Sequence, residues 1–208
     1  MNSTQLLGVN PSSNNYEFAK FMAKHYISFL IAPDGKVPQN LKNSIRQVVN
    51  SSAGFRQSWL KAEKAEAYET SQEAFQHLDY IQNELLRQRD ALKQNSDTWQ
   101  TSTFFSKLSV PVGNIINNAT SSDYAWFLSL PQDKGTLPIG RDITQLTLEK
   151  ALNKLKHRDT AALRFLLPSE EGHFIYIYTK AGMGQPDTIS EINISLFCDA
   201  CKAAAECI

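Results

Sequence analysis

Cysteine is almost missing from this chain: 208 residues hold three, Cys198, Cys201 and Cys207, all close to the end. An odd number crowded into one segment cannot make a disulfide framework, so reduced thiols are expected. Proline and glycine are sparse, and neither occurs from Phe55 to Gln94, which disfavours collagen-like and low-complexity architectures. Neither sign of charge is in excess, with 21 basic and 21 acidic residues. Overall electrostatics therefore supply no drive toward nucleic acid or an anionic membrane. Long apolar runs are missing too: YISFLIA, Tyr26 to Ala32, falls far short of the roughly 18 to 20 residues that span a bilayer. The opening MNSTQLLGVNPSSNN has neither the basic region nor the apolar core of a secretory signal, so a cytoplasmic protein without membrane insertion is expected. The Asn-x-Ser/Thr triplets at Asn2, Asn50, Asn118 and Asn193 are then chance matches.

Catalytic signatures are absent as well. The chain contains no GxSxG, HExxH, Walker A loop or GxGxxG. His157-Arg158-Asp159 spells the kinase catalytic triplet, but Arg164 stands where a kinase needs a magnesium-binding Asn, so the triplet reads as the charged end of a helix. AGMGQPD has two glycines without a following Lys or Ser/Thr for phosphate. His25 lies on an apolar helical stripe, His77 on an exposed helix face, and His173 on a strand with no visible orienting acid. No catalytic residue, metal ligand or cofactor is expected.

Amphipathic helix is what the chain has in quantity. After a loose Asn/Ser-rich tail over residues 1–15, Phe18, Phe21, Met22, His25 and Phe29 recur at helical spacing behind Asn14 and Glu17, which resemble a capping box. Pro33-Asp34-Gly35 ends that helix. NLKNSIRQVVN predicts a short helix broken near Ser51 to Gly54. From Phe55 to Gln94 the spacing of Phe75, Leu78, Ile81, Leu85 and Leu92 predicts one long helix or a helical hairpin. The stripe is weak across Glu69 to Glu73, where Thr70 and Glu73 suggest a second capping box and hence an interruption.

Residues 96–141 carry short apolar segments that suit brief strands or short helices, and Asp142 with Gln145 predicts a helix over DITQLTLEKALNKLKH. ALRFLLP and HFIYIYTKAG read as a β-hairpin, and ISEINIS as a third strand. The expected fold is α+β: a helical region over 16–100, then a mixed region over 101–208 forming one unit with it, whose small antiparallel sheet is closed by a C-terminal helix.

That last helix bears on the thiols. Cys201 falls on its apolar face with Phe197 and Ala204, while Cys198 and Cys207 lie on opposite flanks and cannot converge on one ion. Thiols among alanines on a closing helix read as packing groups. The candidate binding residues are instead aromatic: Phe104, Phe105, Tyr124, Trp126 and Phe127 form two dense clusters that would serve as core anchors or as anchors for another polypeptide.

Without catalytic motifs or charge bias, the chain reads as a non-enzymatic adaptor or chaperone that binds other polypeptides. In length, in its Asn/Gln/Ser/Lys-rich texture and in the layout of helices leading to a small closed sheet, it resembles the LvgA-type adaptor of the Dot/Icm type IVB secretion system. The likeness is of the whole chain and transfers no site residue. It implies a virulence-associated role: docking with other small chaperone subunits on a coupling protein and recognition of secreted effectors. A thiol-dependent enzyme, a secreted effector with dispersed catalytic residues, and a homo-oligomeric structural protein built on the long helix are the alternatives.

Overall fold

The computed structural model describes residues 39–168, 172–180, 182 and 185–208, apart from residue 96. The tail expected over 1–15 and the helix expected over 16–32 lie outside them. Helix α1 spans Gln39–Leu60 and α2 spans Lys64–Asn95, so the chain from Phe55 onward is a helical hairpin. The break expected near Ser51 to Gly54 does not occur. Ser51 and Ser58 are buried, and a β-carbon on Gly54 would lie 3.4 Å from the Thr70 methyl of α2. Small residues that look like punctuation in the sequence are here the seam along which two helices meet, and packing overrides their low propensity.

The interruption expected at Glu69 to Glu73 is also misplaced. Helix α2 runs through it, and the Thr70 hydroxyl donates to the Glu66 carbonyl one turn back (2.8 Å) instead of capping anything. The chain turns at Lys61 to Glu63, where the Ala62 amide donates to Trp59 O (3.0 Å) and the Glu63 amide to Ser58 O (2.9 Å). That bond pair is a Schellman motif, which places its penultimate residue in the left-handed region. Ala62 sits there at φ +62, a position that glycine occupies without the clash a β-carbon makes. Ala62→Gly is therefore expected to raise stability by about 1 kcal/mol, read as a higher urea midpoint at unchanged slope. A lower midpoint would mean that Ala62 makes a packing contact outweighing its strain.

Beyond the hairpin come a short 3₁₀ turn, Trp99–Thr101, and α3, Thr103–Leu108, whose Ser102 cap accepts the Phe105 amide. Strand β1 covers Pro111–Asn117, and α4 covers Ser121–Ser129 behind a capping box of Thr120 and Asp123. The helix expected from Asp142 begins later. Ile143–Thr147 is strand β2, as its β-branched residues favour, and α5 spans Leu148–Lys156 with Thr147 as its cap. The predicted hairpin is present as β3, Leu163–Leu166, against β4, Phe174–Thr179. Strand β5 is Thr188–Asn193, and the last two residues of ISEINIS belong to α6, Ile194–Ala205, where the Asn193 side chain accepts the Leu196 amide.

The fold is α+β, and among the described residues five antiparallel strands lie in the order β2-β1-β5-β4-β3. Alternation along the strands divides the core. Ile115, Ile177 and Ile192 share the face on which α5 and α6 pack, and α1 and α2 lie against those two helices in turn. Ile116, Ile189, Tyr176 and Tyr178 share the other face, covered by Phe127 of α4 and by Leu137. The outer edge of β3 is occupied by the chain itself: Phe165 donates its amide to Gln132 O, and Gly135 donates to Phe165 O, both at 2.8 Å. Among the described residues no helix is long and apolar enough to cross a membrane.

Candidate functional site

Where the α2 stripe is weak, Thr70 meets Gly54 of α1, and the residues beside it face an opening that no other described element fills. From Lys64 to Asp79 the inward face of α2 lines a groove of about 810 Å³, completed by α1 and by residues of β3 and β4. Val48, Ser52, Phe55 and Trp59 line it from α1, spaced by about one helical turn each. Leu163 and Phe165 of β3, with His173 and Ile175 at β4, form the far wall. That wall is aromatic and ordered by edge-on contacts: the Phe165 ring stands at 87° to both Phe55 (4.9 Å) and Trp59 (4.8 Å). Leu60 and Tyr68, on either side of the hairpin turn, are 68% and 64% exposed.

The polar groups at this groove are mostly engaged in holding it together. The Ser52 hydroxyl and His173 Nδ1 are hydrogen-bonded at 2.9 Å, and the imidazole stacks on Phe55 at 5.1 Å. Burial, and then the Arg56 charge, lower the His173 pKa to about 4, so the ring is neutral at physiological pH. Arg56 donates to the carbonyls of Gly172 (3.0 Å) and Pro168 (2.7 Å), tying the β3–β4 connection to α1. Arg158 makes a forked pair with Asp79 of α2 (2.6 and 2.9 Å) and lies 5.1 Å over the Phe75 ring. The HRD triplet is thus a helix end that pins α2 to the sheet unit: His157 caps α5, and Asp159 accepts the Ala161 amide. A serine–histidine pair suggests nucleophilic chemistry, but among the described residues no carboxylate bonds the His173 ring to orient it.

The thiols lie elsewhere. Cys198 and Cys201 are buried on α6, and Cys207 donates to the Ala203 carbonyl at 3.4 Å. Burial, and then Asp199, push the Cys198 thiol up to about 12, and burial with Cys198 beside it raises Cys201 as well. Both are protonated at neutral pH and serve as small apolar groups. Among the described residues no group of His, Cys, Asp or Glu side chains is arranged to hold a metal ion.

The five aromatics singled out from the sequence are not brought together. Phe104 is buried and Phe105 half-buried around Trp99, with ring centroids at 6.1 and 5.3 Å, on α3, which packs against α6. Tyr124, Trp126 and Phe127 sit on α4 over the opposite face of the sheet, where Phe127 is buried and Tyr124 lies against Tyr178 at 4.5 Å. The groove is made of other aromatics, from segments separated by a hundred residues. Its one signal in the sequence is the poor apolar stripe over Glu69 to Glu73 in a helix that nevertheless continues. Comparisons of the chain with protein families, with curated proteins and with solved structures find no match.

Proposed function

We propose that this protein is a non-enzymatic adaptor or chaperone that holds an apolar segment of another polypeptide in the groove between the helical hairpin and β3–β4. The observation that carries this reading is the groove itself: an aromatic-walled channel beside a helix whose inward face, among the described residues, has no covering element. The segment it takes is helical on physical grounds. An apolar channel leaves main-chain groups unsatisfied unless the guest bonds them internally, and the neighbouring β3 edge is already filled by Gln132 and Gly135. The buried, protonated thiols give a thiol-dependent reaction no support. On the secretion-adaptor reading, the guests are effector segments or fellow chaperone subunits.

Ser71 lies on the inward face of α2 and is half-buried. Ser71→Arg lays a long charged side chain across the channel without entering the core, and arginine is a good helix former. In affinity capture from the native host, the wild-type chain is expected to retain a stoichiometric partner that Ser71→Arg loses while melting at a similar temperature. A partner retained equally by the blocked variant would remove the groove from the function.

A further inference from the structure

The two edges of the sheet are treated differently. The β3 edge is closed by the chain's own Gln132 and Gly135, whereas among the described residues the main chain of β2 pairs with β1 alone. An uncovered edge offers a row of N–H and C=O groups to any extended chain, and proteins blunt such edges with lysine, proline or a covering element. Strand β2, Ile-Thr-Gln-Leu-Thr, carries neither charge nor proline and is a full five residues long. Ile143 on it is 52% exposed, and Ile139, just before it, is fully exposed.

We infer that the outer edge of β2 is an interface between two copies of this chain, which pair antiparallel across a two-fold axis into one continuous sheet. An antiparallel ladder is symmetric, so a two-fold copy of the strand is its own complement. Pairing all five residues puts Gln145 on the axis, where the two side-chain amides can bond each other, and sets Ile143 opposite Thr147 of the other copy. Both are β-branched and suit a cross-strand pair. No like charges meet, because the strand has none, and the exposed Ile143 gains cover. Any extended chain can bond the same main-chain groups, but a second copy also supplies the Ile143–Thr147 cross-strand pairs and the Gln145 pair. The inference is independent of the groove, which is built on β3 and β4 at the other side of the sheet, so each copy would keep its groove open.

Sedimentation equilibrium on the full chain, over about 1 to 100 µM, tests this through mass action. The wild type is expected to reach twice 23.4 kDa as concentration rises. Ile143→Lys with Gln145→Lys places like charges face to face on exposed positions and is expected to stay at the single-chain mass, as is Ile143→Glu with Gln145→Glu. Mixing the lysine and glutamate variants should restore the two-chain mass. A wild type that remains a single chain throughout the range overturns the inference. So does a lysine variant that still doubles, or a mixture that fails to associate.

Discussion

Gly113→Ala is expected to destabilise this protein by about 3 kcal/mol or more, beyond the range of ordinary overpacking, because the added methyl meets main chain rather than a side chain that can swing away. A β-carbon at this position would lie 1.9 Å from the Glu191 carbonyl oxygen and 2.9 Å from its carbon, with the Ile192 Cα at 3.1 Å. Gly113 stands where the register of β1 against β2 shifts, and it faces Ile192 on β5. The shift presses β1 onto β5 more closely than a side chain allows. Relief requires parting the two strands that join β2 to the rest of the sheet, and with them the Asn114–Glu191 bond (2.7 Å). Against a total stability of 5 to 15 kcal/mol for typical domains, a change of about 3 kcal/mol is severe. Urea unfolding should show a large drop in midpoint, whereas Gly182→Ala, whose new methyl meets nothing within 4 Å, should stay within about 0.5 kcal/mol of wild type. Equal midpoints for the two variants would mean that the strands separate at little cost.

Why some of this was legible in the sequence and some was not comes down to the range over which each signal acts. The stripe of Leu78, Ile81 and Leu85 predicts a buried helix face because its period is local, and all three are buried. The β3–β4 hairpin is legible for the same reason: a dense β-branched and aromatic arm beside turn residues. The hairpin turn at Ala62 is not, since it uses neither glycine nor proline and survives because the packing of α1 on α2 outweighs the strain of one residue. Nor is β2, where Asp142 and Gln145, three residues apart, imitate the capping pair that opens a helix. The groove was hidden for a third reason. Phe55, Trp59, Phe165 and His173 are ordinary helix and strand residues until the fold brings them within ring contact. Dense aromatic clusters such as Tyr124 to Phe127 attract notice in a sequence, yet density along the chain is what a core anchor shows, and Phe127 is one.

His173 makes the stability of the groove wall depend on pH, and the sign follows from its environment. Burial disfavours the imidazolium, the neighbouring Arg56 charge disfavours it further, and the folded pKa falls from 6.5 to about 4. As pH drops below 6.5 the unfolded chain binds a proton that the folded ring refuses until about pH 4, so stability is lost through that window and levels off below it. The full loss is about 3 kcal/mol. Asp159, held below its ordinary 3.8 by the hydrogen bond from Lys180 and then that from the Ala161 amide, releases its own contribution only at lower pH. The informative quantity is the difference between wild type and His173→Gln in urea unfolding from about pH 7.5 to 4, which isolates this ring from every other group. That difference should shift against the wild type by about 3 kcal/mol, whereas parallel profiles would show that the folded ring takes a proton as readily as the unfolded one. Because the ring stacks on Phe55 and bonds Ser52, the proton lands where α1 meets the sheet, and Ser52→Ala should leave the pH window in place while lowering stability across it by about 1 kcal/mol. The acid sensitivity then belongs to the desolvated imidazole, stacked on Phe55 in the aromatic wall of the groove, rather than to its hydroxyl partner.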